Sequence, residues 1–137
     1  MARSPGPPVV AVLNTNDDIV ELLRMKFEMA GLIAVSAHLD DVRRGQVSLV
    51  DFVKEHEPDV VLFDVAPPYE QYWRYLQHVR GMKEMAGRRF VVTTTNERRL
   101  REMIDTGEPV FEIVGKPYDL DQLTDIVRQA SRARPVK

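Results

Sequence analysis

Three apolar runs in this chain end in residues that can do chemistry together. VVLFD closes on Asp64, VVTTT on the hydroxyls Thr93 to Thr95, and the last run on GKP, with Lys116 and Pro117. In an open parallel sheet the C-terminal ends of strands line the crevice where ligands bind. A carboxylate at such an end is not there to fill the core, because burying a charge without a partner is costly. A lysine beside it supplies a point charge for a phosphoryl group, and a hydroxyl can hydrogen-bond a phosphoryl oxygen.

Each residue also has a plainer use. Asp64 could cap the following helix, although Pro67 and Pro68 stiffen that loop and favour a fixed site. Lys116 could be a surface lysine, but Pro117 bars the αR region for it and fixes its direction. Whether that X-Pro bond is cis is not readable from sequence. Threonines suit strands by shape alone. The run of three leaves the register open, and Thr94 fits best as the residue ending the strand. The first run, VVAVL, leads into Asn14 and Thr15, where a metal site would want acids. Asp17 and Asp18 come next and read as first-turn charges of a helix.

These positions need elements to hold them. Val9 to Leu13 reads as a buried parallel strand. Asn16 or Asp17 can cap the helix that follows, with Ile19, Leu22, Leu23, Lys26, Phe27 and Ala30 along its stripe and Gly31 at its stop. Leu32 to Ala37 is a second strand, and Asp40 to His56 a helix with Val42, Val50 and Val53 inward. Val60 to Asp64 is the third strand, Tyr69 to Glu84 an aromatic-rich helix, and Phe90 to Thr94 the fourth strand. Glu97 to Asp105 is a short helix, Phe111 to Val114 the fifth strand, and Asp119 to about Arg132 the last helix. Five strand–helix alternations predict an α/β doubly wound parallel sheet with helices on both faces. Tyr69, Tyr72, Trp73 and Tyr75 have the spacing of core and rim packing. Arg98, Arg99 and Arg101 form a solvated face.

Composition narrows the function classes. The chain has 137 residues, 44% hydrophobic and 29% charged, with a net charge of −2. That suits one domain with a full core, and it gives no electrostatic reason to expect nucleic acid or membrane as a partner. There is no cysteine, and His38, His56 and His78 lack metal-ligand spacing. No run approaches the roughly 20 residues of a membrane span, and MARSPGPP has no apolar core of a secretory signal. Cytoplasmic is the expected location. Residues 1–8 are expected to be a flexible tail, 9–131 the domain, and 132–137 a basic flexible tail.

Taken in order, VVAVLN, LFD, VVTTT and GKP over residues 9 to 131 resemble the receiver domain of two-component response regulators. The resemblance implies a five-stranded flavodoxin-like sheet in the order 2-1-3-4-5. It also implies phosphoryl transfer from a histidine kinase or phosphotransfer protein to an aspartate, with magnesium held by neighbouring acids. Asp64 then matches the phosphoacceptor, Thr94 the switch hydroxyl and Lys116 the phosphoryl-contacting lysine. Ala66 would offer its backbone carbonyl to the metal, and Pro68 and Pro117 occupy loop positions.

The departures are specific. The family's acidic pair falls on Asn14 and Thr15, its switch aromatic on Ile113, and its loop glycine near Tyr72. Unit charges roughly 4 Å apart interact by ~4 kcal/mol at an effective dielectric of about 20. Magnesium normally wants one or two carboxylates and dehydrates reluctantly, so its binding is expected to be weak or absent. The resemblance therefore implies an atypical, stand-alone receiver and not an enzyme. It would be phosphorylated weakly on Asp64, or would act as a pseudo-receiver by binding a downstream protein. A homodimer is left open. The alternative is a small flavodoxin-like binding protein or enzyme for a phosphorylated ligand. Against it, no glycine-rich phosphate loop follows the first strand, and Asp64-Val65-Ala66 lacks the DxD of aspartate-based phosphatases.

Overall fold

Short valine-rich runs that bury both faces form the sheet. The structure, a computed structural model, describes residues 6–103 and 112–132. Strands β1 (Val9–Asn14), β2 (Ile33–His38), β3 (Val60–Val65), β4 (Arg89–Thr94) and β5 (Glu112–Gly115) pair in parallel, in the order β2-β1-β3-β4-β5. Every residue of β1 and β3 is buried, as central strands of a sheet covered on both sides require. Strands of period 2 divide their side chains between two cores. Val10, Val12, Val60, Leu62 and Val91 lie on one face, under helices α1 (Asp17–Met29) and α6 (Leu120–Arg132). Leu13, Val61, Phe63 and Val92 lie on the other. That second face is covered by α2 (Leu39–Arg43), α3 (Leu49–His56), α4 (Tyr69–Arg80) and α5 (Glu97–Met103).

Helix α1 begins where the chain offers a cap. Asn16 Oδ1 accepts the Ile19 amide at 3.1 Å, and Asp17 and Asp18 occupy the first turn. Its buried arc is Val20, Leu23 and Phe27, which corrects the expected stripe: Leu22 is 39% exposed. Lys26 forms an ion pair with Asp121 at the start of α6, tying together the two helices of this face.

The expected single helix from Asp40 to His56 is two. After α2, Gly45 takes φ +78°, Gln46 N–H donates to Asp41 O at 2.9 Å, and Gly45 N–H to Val42 O at 3.2 Å. This paired closure is the Schellman motif, which needs a residue free to enter the left-handed region. Ser48 then starts α3, its Oγ accepting the Asp51 amide at 3.2 Å. His38 Nδ1 caps α2 through the Asp40 amide, so β2 runs into α2 almost without a loop.

The aromatic helix ends at Arg80, and a 3-10 turn, Lys83–Met85, fills the rest of the expected span. Asp105, Phe111 and the tail segments 1–5 and 133–137 lie outside the described residues. Two residues assigned to the tails are built into the fold. Pro8 O accepts the Ile33 amide at 2.9 Å, and Arg132 is the last residue of α6.

Candidate functional site

The site forms where β3, β4 and β5 end together. Asp64 is 3% exposed, and its Cα partner on β4 is Thr93. Paired residues of a parallel ladder project to the same face, so Thr93 shares the face of Asp64 and Thr94 falls on the other. Thr93 Oγ1–H donates to Asp64 Oδ1 at 2.7 Å. Lys116 Nζ meets the same oxygen at 2.7 Å. The lysine is aimed there by the β5 end, where its own amide donates to Thr94 O at 2.7 Å. Lys116–Pro117 and Pro67–Pro68 are both cis.

The hydroxyl at Asp64 is thus the neighbour of the one expected. Thr94 is buried, and its Oγ1 accepts the Asn96 amide at 3.2 Å, shaping the turn into α5. Thr95 reaches the opposite loop, 2.7 Å from the Tyr69 hydroxyl at the start of α4. A second bridge joins the same two segments, Arg99 to Glu70 at 2.5 Å. This bridge lowers the Glu70 pKa, chiefly through the Arg99 hydrogen bond.

The positions of the expected vestigial metal pocket carry neutral groups. Asn14 is 3% exposed, and the sheet register sets it beside Asp64, one step beyond the Leu13–Phe63 pair. Its Oδ1 already accepts the Asn16 amide at 2.9 Å. Thr15 and Ala66 are half-buried in the loops, and Asp17 and Asp18 are exposed in α1. Among the described residues, no three His, Cys, Asp or Glu side chains come together. Among the described residues Asp64 is the one carboxylate at these strand ends, with one oxygen shared by an ammonium and a hydroxyl, which is the low end of what magnesium takes.

Ile113, at the expected switch position, is buried in the core against the α4–α5 face, 7% exposed. Tyr72, near the expected loop glycine, is inside α4, its hydroxyl donating to Asp40 at 3.1 Å. Pro68 caps α4, with its carbonyl accepting the Gln71 amide at 3.2 Å. Tyr118 is the residue that sequence reasoning missed. It is half-buried, and burial pushes its phenol pKa up, with the nearby Asp64 charge adding to the shift. A ring two places after the lysine of GKP was the available signal. Of the three arginines on α5, Arg99 pairs with Glu70 and Arg101 with Glu97 at 2.8 Å.

No family model matches the chain, and no curated protein matches its sequence. Solved structures do. A sensor protein from Polaromonas sp. JS666 is similar with a TM-score of 0.74 and 18% identity, over 90% of this chain and 95% of that one. A signal receiver domain of a two-component histidine kinase from Clostridium thermocellum gives 0.73 and 16%, over 92% and 98%. The Vibrio cholerae chemotaxis protein CheY4 gives 0.72 and 15%, over 91% and 99%. Identities this low speak for architecture alone. The chain has the five-stranded, CheY-like fold of response regulator receiver domains.

Proposed function

We propose that this chain is an atypical receiver of two-component signalling, with Asp64 as a weak phosphoacceptor or as the centre of a pseudo-receiver that works by binding. The observation that supports it is the single oxygen Asp64 Oδ1, held by both Lys116 and Thr93. The acceptor and its lysine are kept, while Asn14 and Thr15 stand where a metal would need acids. Phosphoryl transfer requires charge on the transferring group to be neutralised. Lys116 alone supplies that here, so transfer from a histidine kinase or phosphotransfer protein is slow or absent.

The role is signalling through a protein partner and not catalysis of its own. The output surface is the side made by β4, β5, α5 and α6. Ile113 has no ring to swing and no hydroxyl to exchange, so any response travels through Thr93 to Thr95 and the loop they brace. A population shift needs a differential preference between two states, and few moving parts make that difference small.

The test is titration with beryllofluoride and millimolar magnesium, read by Trp73 fluorescence. Trp73 sits in α4, buried at 8% exposure, just beyond the loop that follows Asp64. No saturable change is expected in the natural chain, and a clear one in a variant carrying Asn14→Asp and Thr15→Asp. A saturable response of equal strength in both would overturn the reading.

A further inference from the structure

Away from the sheet edge, one cleft is lined by two arginines, a glutamine, a histidine and a tyrosine. Gln71, Arg74, Tyr75 and His78 fall at i, i+3, i+4 and i+7 of α4, a single face of that helix. Arg43, the last residue of α2, closes the other side, leaving an open cleft of about 530 Å³. The Schellman turn after Arg43 ends α2 here, so the arginine stands at a helix terminus and not inside a continuous helix.

The cations are differently engaged. Arg43 lies over the Tyr72 ring at 4.6 Å from its centroid, and its nearest carboxylate, Asp40, is 3.6 Å away. That carboxylate also takes the Tyr72 hydroxyl, so Arg43 is held in place but only partly neutralised. Arg74 is exposed and makes no hydrogen bond or ion pair among the described residues. It feels Glu70 at longer range, and Arg99 already holds that group. Between the two arginines, the Tyr75 ring is half-buried against Phe63 and leans on His78, with centroids 6.3 and 6.1 Å apart.

We propose that this α2–α4 cleft is a docking site for an acidic peptide segment of a partner protein. Guanidinium groups bind carboxylates in a planar, two-pronged way. Gln71 and His78 add donors at either end of the row, and the Tyr75 ring offers an apolar seat between charges. Seven residues of helix rise about 10 Å, the reach of about three residues of extended chain. The cleft is open along that row, as a peptide backbone passing through requires. A small phosphorylated ligand would prefer a site that encloses most of its surface. The surface lies on the face opposite α1 and α6, so it leaves the β5 side free for the output proposed above.

Fluorescence anisotropy with a labelled Glu-rich decapeptide tests this on the full chain at low salt. Saturable binding is expected, with little binding of the Lys-rich counterpart. Arg74→Glu should weaken it about tenfold, because an exposed attraction becomes a repulsion, and added salt should weaken it further. Arg98→Glu, at an exposed position of α5 away from this cleft, should leave peptide binding unchanged, and an unaltered melting temperature shows each variant folded. The proposal fails if the acidic peptide does not bind, if Arg74→Glu and Arg98→Glu behave alike, or if inorganic pyrophosphate binds and the peptide does not.

Discussion

Lys116 Nζ and Asp64 Oδ1 stand 2.7 Å apart, yet water reaches the two side chains unequally, 25% of the lysine being exposed and 4% of the aspartate. Removing either partner therefore has different consequences. Lys116→Ala strands a carboxylate in the interior with only the Thr93 hydroxyl, and breaking a buried pair this way costs about 3–5 kcal/mol. Asp64→Asn leaves a lysine that water can reach and an amide oxygen that still accepts from Thr93. The expected loss is about 1 kcal/mol or less. Urea denaturation of both variants checks the order, and equal losses would mean the carboxylate is hydrated in solution.

Magnesium should bind at least about tenfold more tightly to a chain carrying Asn14→Asp and Thr15→Asp than to the natural one, since each added carboxylate contributes several kcal/mol before solvation compensates. An aspartate at 14 keeps the oxygen that accepts the Asn16 amide, so the loop should survive the change. Calorimetric titration of the two proteins decides it. Matching affinities would show that exposed Asp17 or Asp18 swings into the site.

Thr93→Val and Thr94→Val differ by one position and should differ in cost. The first removes a donor from a buried charged group, a loss of about 1.5–3 kcal/mol. The second keeps the shape of a side chain in a packed core and removes only an acceptor for the Asn96 amide, about 1 kcal/mol. Denaturant midpoints with unchanged slopes measure both. A larger loss for Thr94→Val would restore Thr94 as the hydroxyl that matters.

Tyr118 should report the site at alkaline pH. Burial and then the Asp64 charge raise its pKa above the ordinary value of 10.0. The unfolded chain thus gives up this proton first. The contribution to stability is full below the ordinary tyrosine pKa and is lost as pH rises through the higher folded value. Burial raises Tyr72 and Tyr75 in the same direction. Melting temperature should fall as pH climbs beyond about 10. Tyr118→Phe should soften that fall and remove one late-titrating tyrosinate absorbance. An unchanged absorbance titration would place the phenol in solvent, away from Asp64.

The strands were legible because each is a short apolar run between breakers, and their boundaries moved by a residue or so. The order of the sheet came from resemblance and matches what the pairing shows. The break between α2 and α3 was not foreseen, because the valines at 42, 50 and 53 that were expected inward fit one helix nearly as well as two; in α3 it is Leu49 and Val53 that are buried, and Val50 is not. Only the backbone freedom of Gly45 and the cap at Ser48 decide otherwise. Asp64 and Lys116 were readable as strand-end residues. Their meeting on a single oxygen was not, because it depends on where side chains from β3 and β5 converge in space. Tyr118 was missed because a lone aromatic in a loop gives no periodic signal.

The threonine run makes β4 unusually forgiving of a slip in one respect. Moving the strand by one residue against β3 would still set a threonine opposite Asp64, since Thr94 would take the place of Thr93. Every apolar residue of the strand would meanwhile turn to the wrong core, Val91 and Val92 exchanging faces. The acid's hydroxyl neighbour is therefore insensitive to alignment while the valines are strict about it. Packing, and not the chemistry at Asp64, keeps β4 in register.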